Sequence, residues 1–233
     1  MARQNPQPEP DQRAIAFFDL DRTLLDAHSG LMLVQYEHRL GRLSLPKLIR
    51  STIWSGLHHL SLLDAEKAYR EGAQHWRGLY GPAIKNEIER WFATEMAWRL
   101  RPGGARTLDH HRDRGDLLVL LTGSSAYIAE AACSTWQMDD FLANPVILDA
   151  SGRLTGELEF PLCYGAGKVE RARRWATAQG LSMAGAHFYT DSSSDLPMLN
   201  AVDHPRVVHP DPKLRFIARR RGWPVEDWSI SQP

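Results

Sequence analysis

The feature that most constrains this chain is a short apolar run that stops at two acids: Ala14-Ile15-Ala16-Phe17-Phe18-Asp19-Leu20-Asp21-Arg22-Thr23. A run this brief and Phe-rich has the pattern of a buried parallel strand, although periodicity alone does not separate it from helix. A carboxylate inside such a strand is costly to desolvate. The acids therefore mark the point where the strand emerges, and a cation has to meet them there. Residues two apart on extended chain point the same way, so Asp19 and Asp21 are expected to face one small volume, with the Thr23 hydroxyl nearby. The competing reading is simple turn capping, since such residues favour turns.

Two later runs repeat the pattern. Leu117-Leu118-Val119-Leu120-Leu121 ends in Thr122-Gly123-Ser124-Ser125 and feeds a helical stretch at 126–136. A strand end leading into a helix N-terminus is a natural anion site, and an N-cap made by Ser124 or Ser125 is the alternative. His187-Phe188-Tyr189-Thr190 ends in Asp191, followed by Ser192-Ser193-Ser194 and Asp195. Strand, serine loop and second acid suit a hard cation that takes oxygen ligands. Between them, Gly165-Ala166-Gly167-Lys168 opens a helix that Gly180 closes. A lysine in a first helical turn opposes the dipole, which suggests an anion beside it, although a solvated surface lysine fits as well. Residues 144–163 read as a hairpin with a polar turn, and Val207-Val208 as a last core strand. The basic helix after Pro212, with Arg219-Arg220-Arg221, reads as solvated.

From 28 to 99 the pattern is helical. Ser29 is a candidate cap. Leu45, Ile49, Ile53 and Leu57 recur every four residues, Asp64 can cap a third helix, and Gly81-Pro82 starts a fourth. Trp54, Trp76, Trp91 and Trp98 lie here, half of the eight tryptophans, and read as core rather than ligand contacts. The block is too long for a tight crossover, so it is expected to be an inserted all-helical cap. The expected organisation is a flexible tail at 1–13, a core formed by 14–27 and 100–233, and the cap at 28–99. Strand–helix alternation predicts an α/β core: a doubly wound, mostly parallel Rossmann-like sheet with ligands at the carboxyl ends of the strands.

Lysine plus arginine and aspartate plus glutamate balance at 28 each, so nothing points to nucleic acid or an anionic membrane as partner. No run is long and apolar enough to span a bilayer, and the polar start lacks a signal-peptide core. Cys133 and Cys163 show no metal spacing, and a reduced pair is the simpler reading. A cytoplasmic protein is expected.

The ordered set Asp19-x-Asp21-x-Thr23, Thr122-Gly123, Lys168, and Asp191 with Asp195 resembles the haloacid dehalogenase (HAD) superfamily of phosphohydrolases. The helical insert directly after the first motif resembles its phosphoserine phosphatase-like branch, subfamily IB. The resemblance spans roughly residues 14–209 and rests on the combined motifs. It implies a magnesium-dependent phosphomonoester hydrolase acting on a small phosphorylated metabolite through an aspartyl-phosphate. Asp19 would be the nucleophile and Asp21 the general acid and then base. Thr23, Thr122, Gly123 and Lys168 would bind phosphate. Asp19, the Asp21 carbonyl and Asp191 would hold Mg2+, with Asp195 and Ser194 behind them.

The departures bear on the substrate. In true phosphoserine phosphatases a glutamate early in the cap holds the substrate amine, and the matching position here is His28. The second motif reads Thr-Gly-Ser-Ser rather than Ser-Gly-Gly, and Ser194 stands where asparagine is usual. His28, Glu37 and His38 are the cap candidates for specificity, and an amino-alcohol phosphate such as phosphoserine or histidinol phosphate is the candidate substrate. Phosphoryl transfer to an alcohol, or a non-catalytic phosphate-binding module, are the alternatives.

Overall fold

The structure is a computed structural model that describes residues 13–46 and 65–229. Its centre is a six-stranded sheet in the order β3-β2-β1-β4-β5-β6, with every pairing parallel. The strands are β1 (Ile15–Phe18), β2 (Leu117–Ser125), β3 (Asp140–Asn144), β4 (His187–Thr190), β5 (His204–Val208) and β6 (Val225–Glu226). β1 lies between β2 and β4, with Phe18 opposite both Leu120 and Tyr189. All four of its side chains are at most 1% exposed, which is why the run contains no polar residue.

Alternation along the strands divides the core in two. Ala16, Phe18, Leu118, Leu120 and Tyr189 face one side, where Leu108 of α4 (Pro102–Asp113) and Ile128 of α5 (Ala126–Thr135) cover them. Ile15, Phe17, Val119, Leu121 and Phe188 face the other, under Ala172 of α6 (Ala166–Ala178) and Leu214 of α8 (Pro212–Arg221). Between these last two lies the one-turn α7 (Leu196–Leu199). The sheet is thus the doubly wound, Rossmann-like arrangement expected. The strand order reverses between β1 and β4, which opens a crevice at their carboxyl ends.

After β1 the chain departs for three described helices, α1 (Ser29–Arg39), α2 (Ala65–His75) and α3 (Gly81–Trp91), and returns at Leu100. The two crossings pair with each other: Leu25 bridges Leu100 antiparallel, Asp26 N donates to Arg99 O (3.1 Å), and Arg101 N donates to Leu24 O (2.8 Å). Trp91 is buried and Trp76 packs on the core. Trp98 departs from the core expectation. It is 67% exposed, with the Arg99 guanidinium 4.3 Å over its ring. The helix expected to carry Leu45, Ile49, Ile53 and Leu57, the Asp64 cap, Trp54 and the tail up to residue 12 fall largely outside the described residues. Among the described residues no helix is long and apolar enough to cross a membrane. Cys133 and Cys163 are buried free thiols.

Three local expectations are corrected or refined. His28, not Ser29, caps α1, its Nδ1 accepting from Leu31 N. The hairpin within 144–163 is present but short: Leu148 bridges Leu154 antiparallel, flanked by Asp149 N to Arg153 O (2.8 Å) and Thr155 N to Ile147 O (2.9 Å). Its second arm also meets the helical excursion, where Leu154 N donates to Leu79 O (2.9 Å) and Leu154 O accepts from Gly78 N (2.7 Å). β3 begins earlier, at Asp140, and pairs with β2.

Under the sheet, His111 is buried between Asp116 (Nδ1 to Oδ2, 2.7 Å) and the Tyr189 hydroxyl (Nε2, 2.9 Å). His187 meets it edge-on, ring centroids 4.8 Å apart. Burial, then the neighbouring His111, His204 and Arg206, push His187 down to about 4. A histidine depressed in the fold is kept neutral where the unfolded chain would protonate, so stability is lost as pH falls from about 6.5 toward 4. We expect His187→Gln to gain on wild type by about 1–2 kcal/mol across that window, after allowance for partial exposure. Thermal melts of both proteins between pH 7 and 4 give the comparison, and a constant difference would contradict it.

Candidate active site

The site lies where the strand order reverses. Asp19 directly follows β1, and its N–H continues the sheet by donating to Tyr189 O (2.9 Å). Asp21 stays extended, but Arg22 turns left-handed at φ 62°, which brings Thr23 back beneath Asp19. The Thr23 hydroxyl stands 3.4 Å from Asp19 Oδ2 and 3.3 Å from Asp191 Oδ1. Asp191 directly follows β4, and Arg22 Nε approaches its other oxygen at 3.5 Å.

Lys168 enters from the first turn of α6. Gly167 beside it is obligatory, because a Cβ there would fall 1.9 Å from Leu162 O. The lysine is 3% exposed, and its Nζ donates to Asp19 Oδ1 (2.7 Å) and Asp195 Oδ2 (2.8 Å). This overturns the reading of Lys168 as a solvated surface lysine. Thr190 Oγ1 also donates to Asp195 Oδ2 (2.7 Å), whereas Asp195 Oδ1 is buried without a partner. Ser194 lies to one side, its hydroxyl 2.8 Å from that of Ser192.

Thr122 and Gly123 lie where the β2–β3 register shifts between Leu121 and Ser125, an irregularity that turns the backbone out of the ladder. Thr122 is buried and its Oγ1 accepts from Ser124 N (3.1 Å). On the opposite side, Asp21 Oδ1 accepts from Ser29 N at the start of α1 (2.6 Å), and Oδ2 stands 3.4 Å from Ser124 Oγ. His28 Nδ1 is 3.6 Å from Asp21 Oδ2, so this candidate does reach the site. Glu37 and His38 are engaged elsewhere. Glu37 meets Arg42 (3.3 Å) and His75 (3.6 Å), and His38 Nδ1 lies 2.7 Å from Leu43 O.

Sequence reasoning missed several supports. Asn144 Nδ2 donates to Gly123 O (2.7 Å) while its Oδ1 accepts from Cys163 N (2.8 Å), tying the Thr122 turn to the segment before Lys168. Asp211 accepts from Ser193 N (2.6 Å) and Leu214 N (2.7 Å), pinning the Asp191–Asp195 loop to the start of α8. Tyr69 of α2 also arrives at Gly123, where a Cβ would sit 2.2 Å from the phenol oxygen. No pattern in the sequence distinguishes these from capping or core residues.

Charge is unbalanced in this pocket. Asp19, Asp191 and Asp195 are all buried, and Lys168 is the only buried lysine or arginine among the described residues. Burial pushes the Asp19 carboxyl up to about 7, with Lys168 opposing and Asp195 and Asp21 adding to the rise. Burial, then Asp19, hold Asp191 well above the usual carboxylate range despite Arg22. Burial disfavours the Lys168 ammonium, but Asp19 and Asp195 outweigh it and hold its pKa high. Among the described residues no three His, Cys, Asp or Glu side chains form a metal-holding cluster by themselves. Two adjacent buried carboxylates short of positive charge nevertheless fit a hard divalent cation whose remaining ligands are backbone carbonyl and water.

The arrangement matches known proteins along most of the chain. The haloacid dehalogenase-like hydrolase profile aligns with residues 16–200. A Mycobacterium tuberculosis protein named as a probable phosphatase is 30% identical, covering 94% of this chain and 77% of its own length. A histidinol-phosphatase of Neisseria meningitidis is 26% identical, covering 91% of this chain and 97% of its own. A crystal structure of a Bordetella pertussis protein of unknown function superposes with a TM-score of 0.85 at 28% identity, covering 93% and 99% of the two chains. With this match running over most of its length, the chain belongs to the haloacid dehalogenase-like hydrolases.

Proposed function

We propose that the protein is a magnesium-dependent phosphatase of small phosphomonoesters, working through an aspartyl-phosphate on Asp19. The observation that carries this is the buried Lys168 ammonium held between Asp19 and Asp195, with the Thr23 hydroxyl between Asp19 and Asp191. A phosphoryl group brings several negative charges, and a carboxylate can approach it only where positive charge and oriented donors wait.

An Asp19 oxygen attacks phosphorus as the ester P–O bond breaks, and Asp21 gives its proton to the leaving alkoxide. Asp21 then takes a proton from water, which attacks the aspartyl-phosphate, releases inorganic phosphate and restores Asp19. The backbone N–H of Ser29 aims Asp21 for both transfers. Lys168, Thr122 and the Gly123 backbone orient the phosphoryl oxygens. Magnesium, held by Asp19, Asp191 and the Asp21 carbonyl, would supply the positive charge that the pocket lacks.

The helices between 28 and 99 serve as the cap over this edge, in a cytoplasmic enzyme. The relative named as a histidinol-phosphatase supports an amino-alcohol phosphate as substrate. His28, beside Asp21 rather than remote from it, is the cap residue placed to sense the leaving group.

The test is hydrolysis of an aryl phosphate with magnesium and with EDTA, followed by a panel that includes phosphoserine and histidinol phosphate. Turnover should vanish with EDTA and return with magnesium, and magnesium should raise the melting temperature by mass action. Unchanged turnover in EDTA would remove the cation from the reading. Transfer products in the presence of added alcohols would show that water is not the obligatory acceptor.

A further inference from the structure

Gly123 has no backbone need to be glycine, because its φ lies outside the left-handed region. A Cβ there meets one obstacle, the Tyr69 phenol oxygen at 2.2 Å. Its next neighbours, Tyr69 Cζ at 3.4 Å and Cys163 O at 3.5 Å, are ordinary contacts. Tyr69 belongs to α2, in the helical excursion, whereas Gly123 belongs to the sheet edge. The phenol therefore crosses from one part of the fold to the other and ends on the turn that carries Thr122.

Its surroundings are those of the reaction. Ser124, next to the glycine it touches, lies 3.4 Å from Asp21 Oδ2, and Gly123 O is tied through Asn144 to Cys163, in the segment leading to Lys168. Tyr164, in the segment leading to Lys168, meets its ring edge-on at 6.4 Å. Burial raises its pKa above the ordinary tyrosine value, which leaves a neutral O–H donor at every working pH.

We propose that Tyr69 is a substrate-contacting residue: its phenol O–H completes the phosphate cradle from the helical side, donating to an oxygen of the phosphoryl group. Gly123 is bare so that this hydroxyl can come down. The inference rests on the phosphate cradle of the preceding section and adds to it a donor that none of the four motifs contains. It also gives the helical segment a direct contact with the phosphoryl group itself, independent of the leaving alcohol. Loss of the donor should therefore weaken every ester by a similar factor.

The experiment is a double-mutant cycle of Tyr69→Phe and Gly123→Ala, read by kcat/KM on two phosphomonoesters of different size and by calorimetric binding of inorganic phosphate. Tyr69→Phe should lower kcat/KM roughly 10- to 100-fold on both esters and weaken phosphate similarly, the scale of a hydrogen bond to a charged group. Gly123→Ala should cost at least as much in the wild-type background, because the methyl displaces the phenol. In the Tyr69→Phe background it should cost less than about threefold, because the clashing oxygen is gone. Thermal melts confirm that each variant is folded.

Wild-type kinetics in Tyr69→Phe, or losses that multiply across the cycle, would overturn the proposal. A loss confined to the larger ester would also overturn it, making Tyr69 a wall for the leaving group. If the wild type binds phosphate with this Tyr69 dependence but turns over no ester, the phosphatase reading fails and the cradle stands. If the wild type turns over esters and Tyr69→Phe matches it, the phosphatase reading stands and this inference fails.

Discussion

Lys168→Met should lose activity and stability together. The ammonium is the only buried lysine or arginine charge among the described residues, and it donates to Asp19 and Asp195 at 2.7 and 2.8 Å. Methionine fills a similar volume but leaves two carboxyls facing each other without a counter-charge. Breaking a buried pair from one side costs about 3–5 kcal/mol, because the abandoned charge stays desolvated. For a chain of this size that lowers the melting temperature by roughly 10 °C. The loss should depend on pH in a defined direction. A carboxyl whose folded pKa is raised stabilises the fold at low pH, where it is protonated, and loses that contribution as pH rises from about 4 through the folded value. Asp19 is already raised to about 7 with the lysine present, and removing the lysine raises it further. The variant should thus approach wild-type stability near pH 5 and fall furthest behind above pH 7. Its kcat/KM should drop at least about 10²–10³-fold, the scale of losing one preorganised charge donor. Melts and aryl phosphate kinetics across pH measure both effects. A melting temperature within a degree of wild type at pH 8 would mean that the two carboxyls do not depend on Lys168.

The residues that were legible beforehand share one trait: their local chemistry conflicts with their surroundings. An acid at the end of a buried strand run, as at Asp19 and Asp191, or a lysine against a helix dipole, as at position 168, signals that something distant compensates. The structure brings these together, along with Thr23 and Asp195. What could not be read is chemistry that looks ordinary locally. β3 opens on an acid and its Phe141 and Leu142 are only partly buried, so Asp140–Asn144 lacks the apolar density of the central strands. Val146-Ile147-Leu148, which has that density, stays outside the sheet and forms only a short hairpin with 153–155. Glu37 and His38, the other two cap candidates for specificity, do not reach the site. About two helical turns beyond Ser29, each meets partners outside the motif set, Arg42 and His75 for one and the Leu43 carbonyl for the other. Asn144, Asp211 and Tyr69 act through contacts separated by 18 or more residues, and no periodicity encodes those.

Asp19→Asn separates chemistry from architecture. The amide is nearly isosteric and still accepts a hydrogen bond from Lys168, but it cannot form an acyl phosphate by attack on phosphorus. Turnover should fall at least about 10⁴-fold, the scale seen when a residue that acts covalently is removed. Stability should move little, by about 1 kcal/mol in either direction, because two changes oppose each other. The charge-assisted bond to Lys168 weakens to an ordinary one. In exchange, a carboxyl that burial had already pushed up to about 7 is replaced by a group with no charge to desolvate, and its repulsion with Asp195 and Asp21 disappears. The measurements are a melting curve, a progress curve, and mass spectrometry of acid-quenched enzyme. Wild type should yield a phosphorylated peptide containing Asp19, and the variant none. A stable, folded variant that still turns over ester would move the nucleophile to another residue. Taken with Lys168→Met, the pair gives opposite signatures from two side chains 2.7 Å apart. One variant is inactive and stable, the other inactive and unstable, as expected if the carboxylate is present for reaction and the ammonium is what makes burying it tolerable.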